Sequence, residues 1–218
     1  MQKDYKYILL DLDGTVTDSM EGITKSIQYA LKHFGIAVDD LNQLRKFVCP
    51  PLKESLIEFC HFNEAQAEEG IRKYRERFAD TGIYENAVYP GIESLLQELN
   101  TAGKQVMLAT GKPAYYAGKI LDYFHLSPYF KFVGGSGLDG SLSRKDEVIR
   151  HVLENNDIHD LSQVVMVGDR KHDIHGARQV GIDSIGVLYG YGDKEELIEA
   201  GAERMVNSVE ELREALLL

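Results

Sequence analysis

Short, nearly continuous apolar runs alternate along this chain with longer stretches of helical period. Tyr7 to Leu10, Gln105 to Ala109, Phe130 to Val133, Val164 to Val167 and Ser184 to Leu188 predict strands. Their lack of polar alternation is the pattern of strands covered on both faces. Between them, Gly91 to Ala102 places Leu95, Leu96 and Leu99 at helical spacing, and Lys145 to Asn155 does the same with Val148, Ile149, Val152 and Leu153. Glu195 to Ala200 and Val209 to Leu217 predict two further helices after the later strands. Strand and helix in repeated succession predict an α/β fold, a doubly wound parallel sheet with right-handed crossovers.

One region breaks the alternation. From Asp18 to Gly82 no strand pattern occurs, while Ile23 to Phe34, Leu52 to Phe62 and Glu64 to Phe78 are amphipathic helices, with Pro50-Pro51 as a breaker. The expected organisation is therefore a core of residues 1–17 and 83–218 carrying an inserted, all-helical domain at 18–82. No low-complexity tract or repeat period interrupts either part.

Composition narrows the class. The 218 residues are 44% hydrophobic and 27% charged, ordinary for a globular protein that buries its core without staples. The net charge of -11 repels nucleic-acid backbones and anionic lipid, so neither nucleic acid nor membrane is an expected partner. It equally repels a phosphorylated metabolite, which would need a local cation. Two cysteines, Cys49 and Cys60, are too few for a disulfide framework and are expected to be small buried hydrophobes. The apolar run before Asp11 is too short for a signal or a membrane span, and the expected location is the cytoplasm. Oligomeric state leaves no trace in the sequence.

In an open parallel sheet, ligands bind beyond the carboxyl ends of the strands. After the first predicted strand comes Asp11-Leu12-Asp13-Gly14-Thr15, and after the second Thr110-Gly111-Lys112. After the third, one loop later, Lys145 opens a helix; after the fourth comes Gly168-Asp169-Arg170-Lys171-His172-Asp173. A strand-end Asp alone is commonly a cap or turn former; four converging strand ends make the signal. Carboxylates so close repel unless a cation separates them. Asp11, Asp13 and Asp169 build a hard-oxygen site of the type magnesium prefers, which also neutralises a phosphate. Asp11 is then suited to attack phosphorus, and Asp13 to protonate the leaving oxygen and deprotonate water. Thr110 and neighbouring N–H groups, Gly111 among them, would hold phosphoryl oxygens, with Lys145 offsetting their charge.

The set of motifs resembles the haloacid dehalogenase superfamily over nearly the whole chain: Asp11-Leu12-Asp13-Gly14-Thr15-Val16, then Thr110, then Lys145, then Gly168-Asp169 with Asp173. The resemblance implies a phosphoaspartyl intermediate on Asp11 and acid–base work by Asp13. It implies Mg2+ bound by Asp11, Asp169 and the backbone carbonyl of Asp13, with Asp173 beside the metal or holding it through water. It also implies that the helical insertion is a cap that closes over the site, excludes water and selects the substrate. Gly135 to Gly140 and Tyr189-Gly190-Tyr191-Gly192 are similar to the phosphoglycolate phosphatase-like branch, which includes members described as 5′-nucleotidases. The expected substrate is a small phosphomonoester of the phosphoglycolate or nucleoside monophosphate class. Gly111 departs from the usual Asn or Ser, and Arg170 and Lys171 from a Thr and a small residue; the basic pair is expected to add charge near the phosphate. Arg144 is an alternative to Lys145 as the site cation.

Other signals carry less. Gly135 to Gly140 fits G-x-G-x-x-G, but Ser141 to Ser143 intervene before a helix can open. His172 and His175 are expected to be solvated, the basic residues between Arg72 and Arg77 to form an outer helix face, and Tyr115 and Tyr116 to pack. Lys25, Lys46 and Lys53 in the insertion are expected to be surface lysines. Two other functions fit the same motifs. One is a phosphomutase of the same superfamily, and the other a non-enzymatic phospho-acceptor, although the latter places its Asp after a later strand. A dehalogenase has no leaving oxygen for Asp13 to protonate.

Overall fold

The computed structural model describes residues 3–48 and 50–217, so Cys49 lies outside the described residues. In chain order the elements begin with β1 (Tyr7–Leu10), β2 (Thr17–Asp18), α1 (Met20–His33), α2 (Leu52–Cys60), α3 (Glu64–Arg77) and β3 (Ala87–Val88). There follow α4 (Ile92–Thr101), β4 (Gln105–Pro113), α5 (Ala114–Tyr123), β5 (Phe132–Ser136) and α6 (Lys145–Asn155). The chain closes with β6 (Val164–Gly168), α7 (Lys171–Val180), β7 (Asp183–Val187), α8 (Lys194–Ala200), β8 (Arg204–Val206) and α9 (Val209–Leu217). Six strands form one parallel sheet in the order β5-β4-β1-β6-β7-β8.

Two compact units result: residues 1–17 with 88–218, and residues 18–87. The helical unit runs to Ala87 rather than to Gly82, because Glu85 is tied into it. The Glu85 carbonyl accepts from Gly22 N–H and its carboxylate takes both arms of Arg77. Within that unit Ile23, Ile27 and Leu31 of α1 are buried one turn apart, and α1 packs against α3. A capping box starts α3: Asn63 accepts from Gln66 N–H while Gln66 reaches back to Asn63 N–H. Cys60 is half-buried at the end of α2 rather than buried, and burial pushes its thiol pKa up.

The sheet core follows the expected apolar runs. Leu9, Met107 and Met166 of the three central strands pack with Val148, Ile149 and Val152 of α6 and Ala177 of α7, all fully buried. Fully burying each of these leucine, isoleucine, valine and methionine side chains stabilises by about 1.5–3 kcal/mol. β5 is displaced from the expected 130–133 to Phe132–Ser136, because Gly134 and Gly135 extend the strand without contributing an apolar pattern. Several elements are not among those the pattern predicts: α5, α7, the short strands β2 and β3, the three-residue edge strand β8, and a tight 3-10 turn at Leu41–Phe47.

Register positions the chemistry. Leu10 of β1 is level with Leu108 of β4 and Val167 of β6. The residues just past these positions therefore emerge at one edge of the sheet, which is where Asp11, Thr110 and Asp169 stand. Among the described residues no helix is long and apolar enough to cross a membrane.

Candidate active site

Asp11 is the first residue beyond β1 and is 6% exposed. Its N–H donates to Val167 O at 2.9 Å, continuing the ladder, and its Oδ1 accepts from Leu12 N–H at 2.8 Å. The same oxygen lies 3.0 Å from Nζ of Lys145, the first residue of α6. That ammonium also lies 2.7 Å from Asp173 Oδ1 and donates to Ala109 O at 2.9 Å. Its three protons thus have three oxygen partners. Gly176 of α7 makes room for the lysine stem, since a Cβ there would sit 2.7 Å from Lys145 Cγ.

Asp169 follows β6 and is fully buried. Its Oδ2 accepts from Tyr191 N–H at 2.7 Å, while its Oδ1 has no hydrogen-bond partner. Gly14, at φ +84°, brings the loop after β1 against this carboxylate; a Cβ at Gly14 would lie 2.2 Å from Asp169 Oδ2. Asp173 sits in the first turn of α7, where its Oδ2 accepts from Arg170 N–H at 3.1 Å. Its helix-capping bond leaves Oδ1 turned to Lys145.

Asp11, Asp169 and Asp173 each offer a carboxylate oxygen within 4.8 Å of the other two, and all three residues are buried. Burial pushes the Asp11 carboxyl up to about 6; Lys145 pulls against this, Asp173 and Asp13 add to it, and a hydrogen bond from Thr110 lowers it. Asp169 is raised well above the usual carboxylate range, first by burial and then by Asp173 and Asp11. Lys145 is raised as well: burial alone would lower it, but Asp11 and then Asp173 outweigh that. One ammonium among three carboxylates leaves a formal deficit of positive charge, and an uncompensated buried oxygen on Asp169. A donor set made wholly of hard oxygens fits a divalent cation. The residues present suit such an ion.

Asp13 is 8% exposed, and its carboxylate is not part of this group: its Oδ2 lies 2.8 Å from Lys112 Nζ. Thr110, 1% exposed, accepts the Lys112 N–H on its Oγ1 at 3.2 Å. Gly111 is exposed just beyond, with its carbonyl accepting from Ser136 Oγ at 2.8 Å.

Residues 8–187 match the family described as haloacid dehalogenase-like hydrolase. The chain belongs to this family. A 5′-nucleotidase of Pseudomonas aeruginosa is 45% identical over 193 residues, 88% of this chain and 87% of that protein. The tyrosine-protein kinase PtkA of Mycobacterium tuberculosis is 38% identical over 213 residues, covering 96% of this chain and 72% of PtkA. Among solved structures, a predicted phosphatase from Clostridium acetobutylicum superposes with a TM-score of 0.94 at 48% identity, covering 97% of this chain and 98% of that one.

Of the two candidate cations, Lys145 lies among the carboxylates, whereas Arg144 is exposed and makes a two-pronged pair with Asp146 at 3.0 and 3.1 Å. The expected extra charge from Arg170 is largely spent, because its guanidinium pairs with Glu196 at 2.8 Å; Lys171 is exposed. His172 is half-buried, which lowers its pKa, and His175 is exposed; neither joins the carboxylate group. Gly137 to Ser141 closes a compact turn, and no helix opens before Lys145. Lys25 pairs with Glu21 and Glu85, Lys53 with Glu64, and Lys46 lies over the Phe59 ring. Tyr116 is buried, whereas Tyr115 is 54% exposed with Lys119 over its ring.

Two features escaped the sequence reading. One is the Lys112 pair with Asp13. The other is the support of Asp169 by Tyr189 to Gly192: besides the Tyr191 N–H, a Cβ at Gly190 would lie 2.4 Å from Asp169 Cβ, and one at Gly192 would lie 1.9 Å from Asp169 O. The glycines flanking Tyr191 were the available signal.

Proposed function

We propose that this phosphoric monoester hydrolase removes phosphate from a nucleoside monophosphate, with magnesium, through an aspartyl phosphate on Asp11. The observation that carries the reading is the buried group of Asp11, Asp169 and Asp173 around Lys145, at the ends of adjacent strands. The nucleoside monophosphate class rests on the 5′-nucleotidase relative.

In the first half-reaction an Asp11 carboxylate oxygen attacks phosphorus and the ester P–O bond breaks. Asp13 delivers a proton to the departing oxygen. In the second, Asp13 takes a proton from water, the water oxygen attacks phosphorus, and the bond to Asp11 breaks. Inorganic phosphate leaves and both carboxyl groups return to their starting forms. An ionised Asp11 is needed at the outset, and with a pKa of about 6 it is mostly ionised at neutral pH. Lys145 holds Asp11 and Asp173 in place and offsets charge on the phosphoryl oxygens, alongside Thr110 and the Gly111 N–H. Magnesium, held by Asp11, Asp169 and the Asp13 carbonyl with Asp173 at its border, would supply the positive charge that an anionic substrate needs.

Phosphate release from a panel of 5′-nucleotides, phosphoglycolate and sugar phosphates tests this reading. Activity should require magnesium, vanish in EDTA and vanish in Asp11→Asn. Asp13→Ala should slow turnover by roughly 10²- to 10⁴-fold. Undiminished turnover by Asp11→Asn, or indifference to EDTA, would overturn the chemistry. Preference for phosphoglycolate would move the substrate class alone. A demand for a bisphosphate primer without net phosphate release would make the enzyme a mutase, and transfer to a tyrosine hydroxyl would align it with PtkA.

A further inference from the structure

We infer that Lys112 is a positioning residue, holding the Asp13 carboxylate where it exchanges protons with the leaving oxygen and with water. The inference rests on the proposed role of Asp13 and adds a residue to which no role in that chemistry has been given.

β4 does not stop at Thr110. Thr110 pairs with Gly135 of β5, but the next pair is Pro113 with Ser136, so two residues of β4 face a single step of its neighbour. Such irregularities bend a strand and re-aim its side chains. Here the displaced residues are Gly111 and Lys112, and the Lys112 side chain is turned inward to 6% exposure. Lysine is rarely so buried unless it is paired. Its partner is Asp13, at 2.8 Å, whose side chain is itself only 11% exposed.

Three separate contacts fix this bulge. Lys112 N–H donates to Thr110 Oγ1, and Ser136 Oγ donates to the Gly111 carbonyl. Gly135 lets β5 approach so closely that a Cβ there would lie 2.5 Å from Lys112 O. The two site lysines thereby divide the carboxylates. Lys145 serves Asp11 and Asp173, and Lys112 serves Asp13. Asp13 stands on a short loop where Thr15, Val16 and Thr17 N–H groups all converge on the Leu12 carbonyl. The backbone is therefore set locally, and Lys112 holds one oxygen of the side chain. A proton-transfer group must reach its partner within hydrogen-bond distance, and a misplacement of about 1 Å costs as much as roughly 100-fold in rate.

A double-mutant cycle on the full chain tests this, with magnesium and the best monoester of the panel. In the wild-type background, Lys112→Met should lower kcat roughly 10- to 100-fold and leave KM within about threefold. In the Asp13→Ala background the same change should alter kcat by less than about twofold, since a residue that acts only through Asp13 has nothing left to position. An equal loss in both backgrounds, or a loss confined to KM, overturns the inference while leaving the proposed chemistry intact. Equal activity of wild type and Asp13→Ala instead overturns the proton-transfer role, and the inference with it. Should Lys112→Met fail to fold, Ser136→Ala, which unpins the Gly111 carbonyl, is read in the same cycle. It should lower kcat only where Asp13 is present; a loss independent of Asp13, or none at all, rejects the positioning role.

Discussion

A carboxyl group withdrawn from water holds its proton to higher pH, and Asp11 carries that cost in exchange for its place beside Lys145. Its pKa moves from 3.8 to about 6, with burial the leading cause. Below about pH 3 the group is protonated in folded and unfolded chains alike and costs nothing. Between about 4 and 6 the unfolded chain ionises first, and above 6 the folded state bears the whole penalty of the buried charge. A group raised in this way contributes stability that is lost as pH rises through its folded pKa. Asp11→Asn cannot ionise, so in EDTA it should be about as stable as wild type at pH 3 and more stable at pH 7.5, by urea unfolding. A difference that does not vary with pH would show that Asp11 is not strained by its charge. The position of Asp11 was legible because it ends an apolar run, and the same holds for Asp169 after Val164 to Val167. The Lys112 pair was not, because no local pattern announces a bulge whose cause lies on another strand. Nor was the hydrogen bond from Tyr191 N–H to Asp169, which any residue type except proline could donate.

At the scale of elements, the central strands β1, β4 and β6 were legible because both of their faces are covered, which leaves their buried stretches Ile8 to Leu10, Val106 to Ala109 and Val164 to Val167 wholly apolar. The outer elements were less so. β8 is three residues long at a sheet edge, with only Met205 and Val206 to suggest burial. β5 ends in Gly-Gly-Ser, a sequence that reads as a loop and serves here to admit α6 and the β4 bulge closely. The segment from Tyr189 to Gly192 is likewise a loop by composition, yet it buttresses the fourth motif. Gly190 touches both parts of the site: a Cβ there would stand 2.3 Å from Gly14 O as well as 2.4 Å from Asp169 Cβ. Gly190→Ala must therefore push the Asp169 support away from the loop after β1. Outer partners of metal ligands typically account for roughly 10- to 100-fold in affinity. The magnesium concentration giving half-maximal activity should rise by about that factor in Gly190→Ala, with far-ultraviolet circular dichroism unchanged. An unaltered magnesium titration would mean that Asp169 is held from elsewhere.

For the molecule as a whole, the net charge of -11 and the carboxylate group pull in the same direction: both make the metal-free protein repel itself. The two effects differ in what relieves them. Diffuse repulsion is screened by any salt, with a Debye length of about 8 Å at physiological ionic strength. The buried group sits out of solvent and responds only to an ion that enters it. An ion that binds the folded state alone stabilises it by RT ln(1 + [L]/Kd), about 2.7 kcal/mol at a hundredfold excess over Kd. For a chain of this length each kcal/mol corresponds to roughly 2–4 °C in Tm. Saturating magnesium should thus raise Tm by about 5–11 °C over sodium chloride of equal ionic strength. All the acidic residues concerned lie within residues 1–17 and 88–218, so if the two units melt separately only the transition of that unit should move. Asp169→Asn, which keeps the shape but removes the charge of the uncompensated buried oxygen, should lose most of the increment while responding to sodium chloride as wild type does. An equal rise with both salts, or a full magnesium response in Asp169→Asn, would place the stabilisation on the general surface charge and leave the buried carboxylates without an ion to explain them.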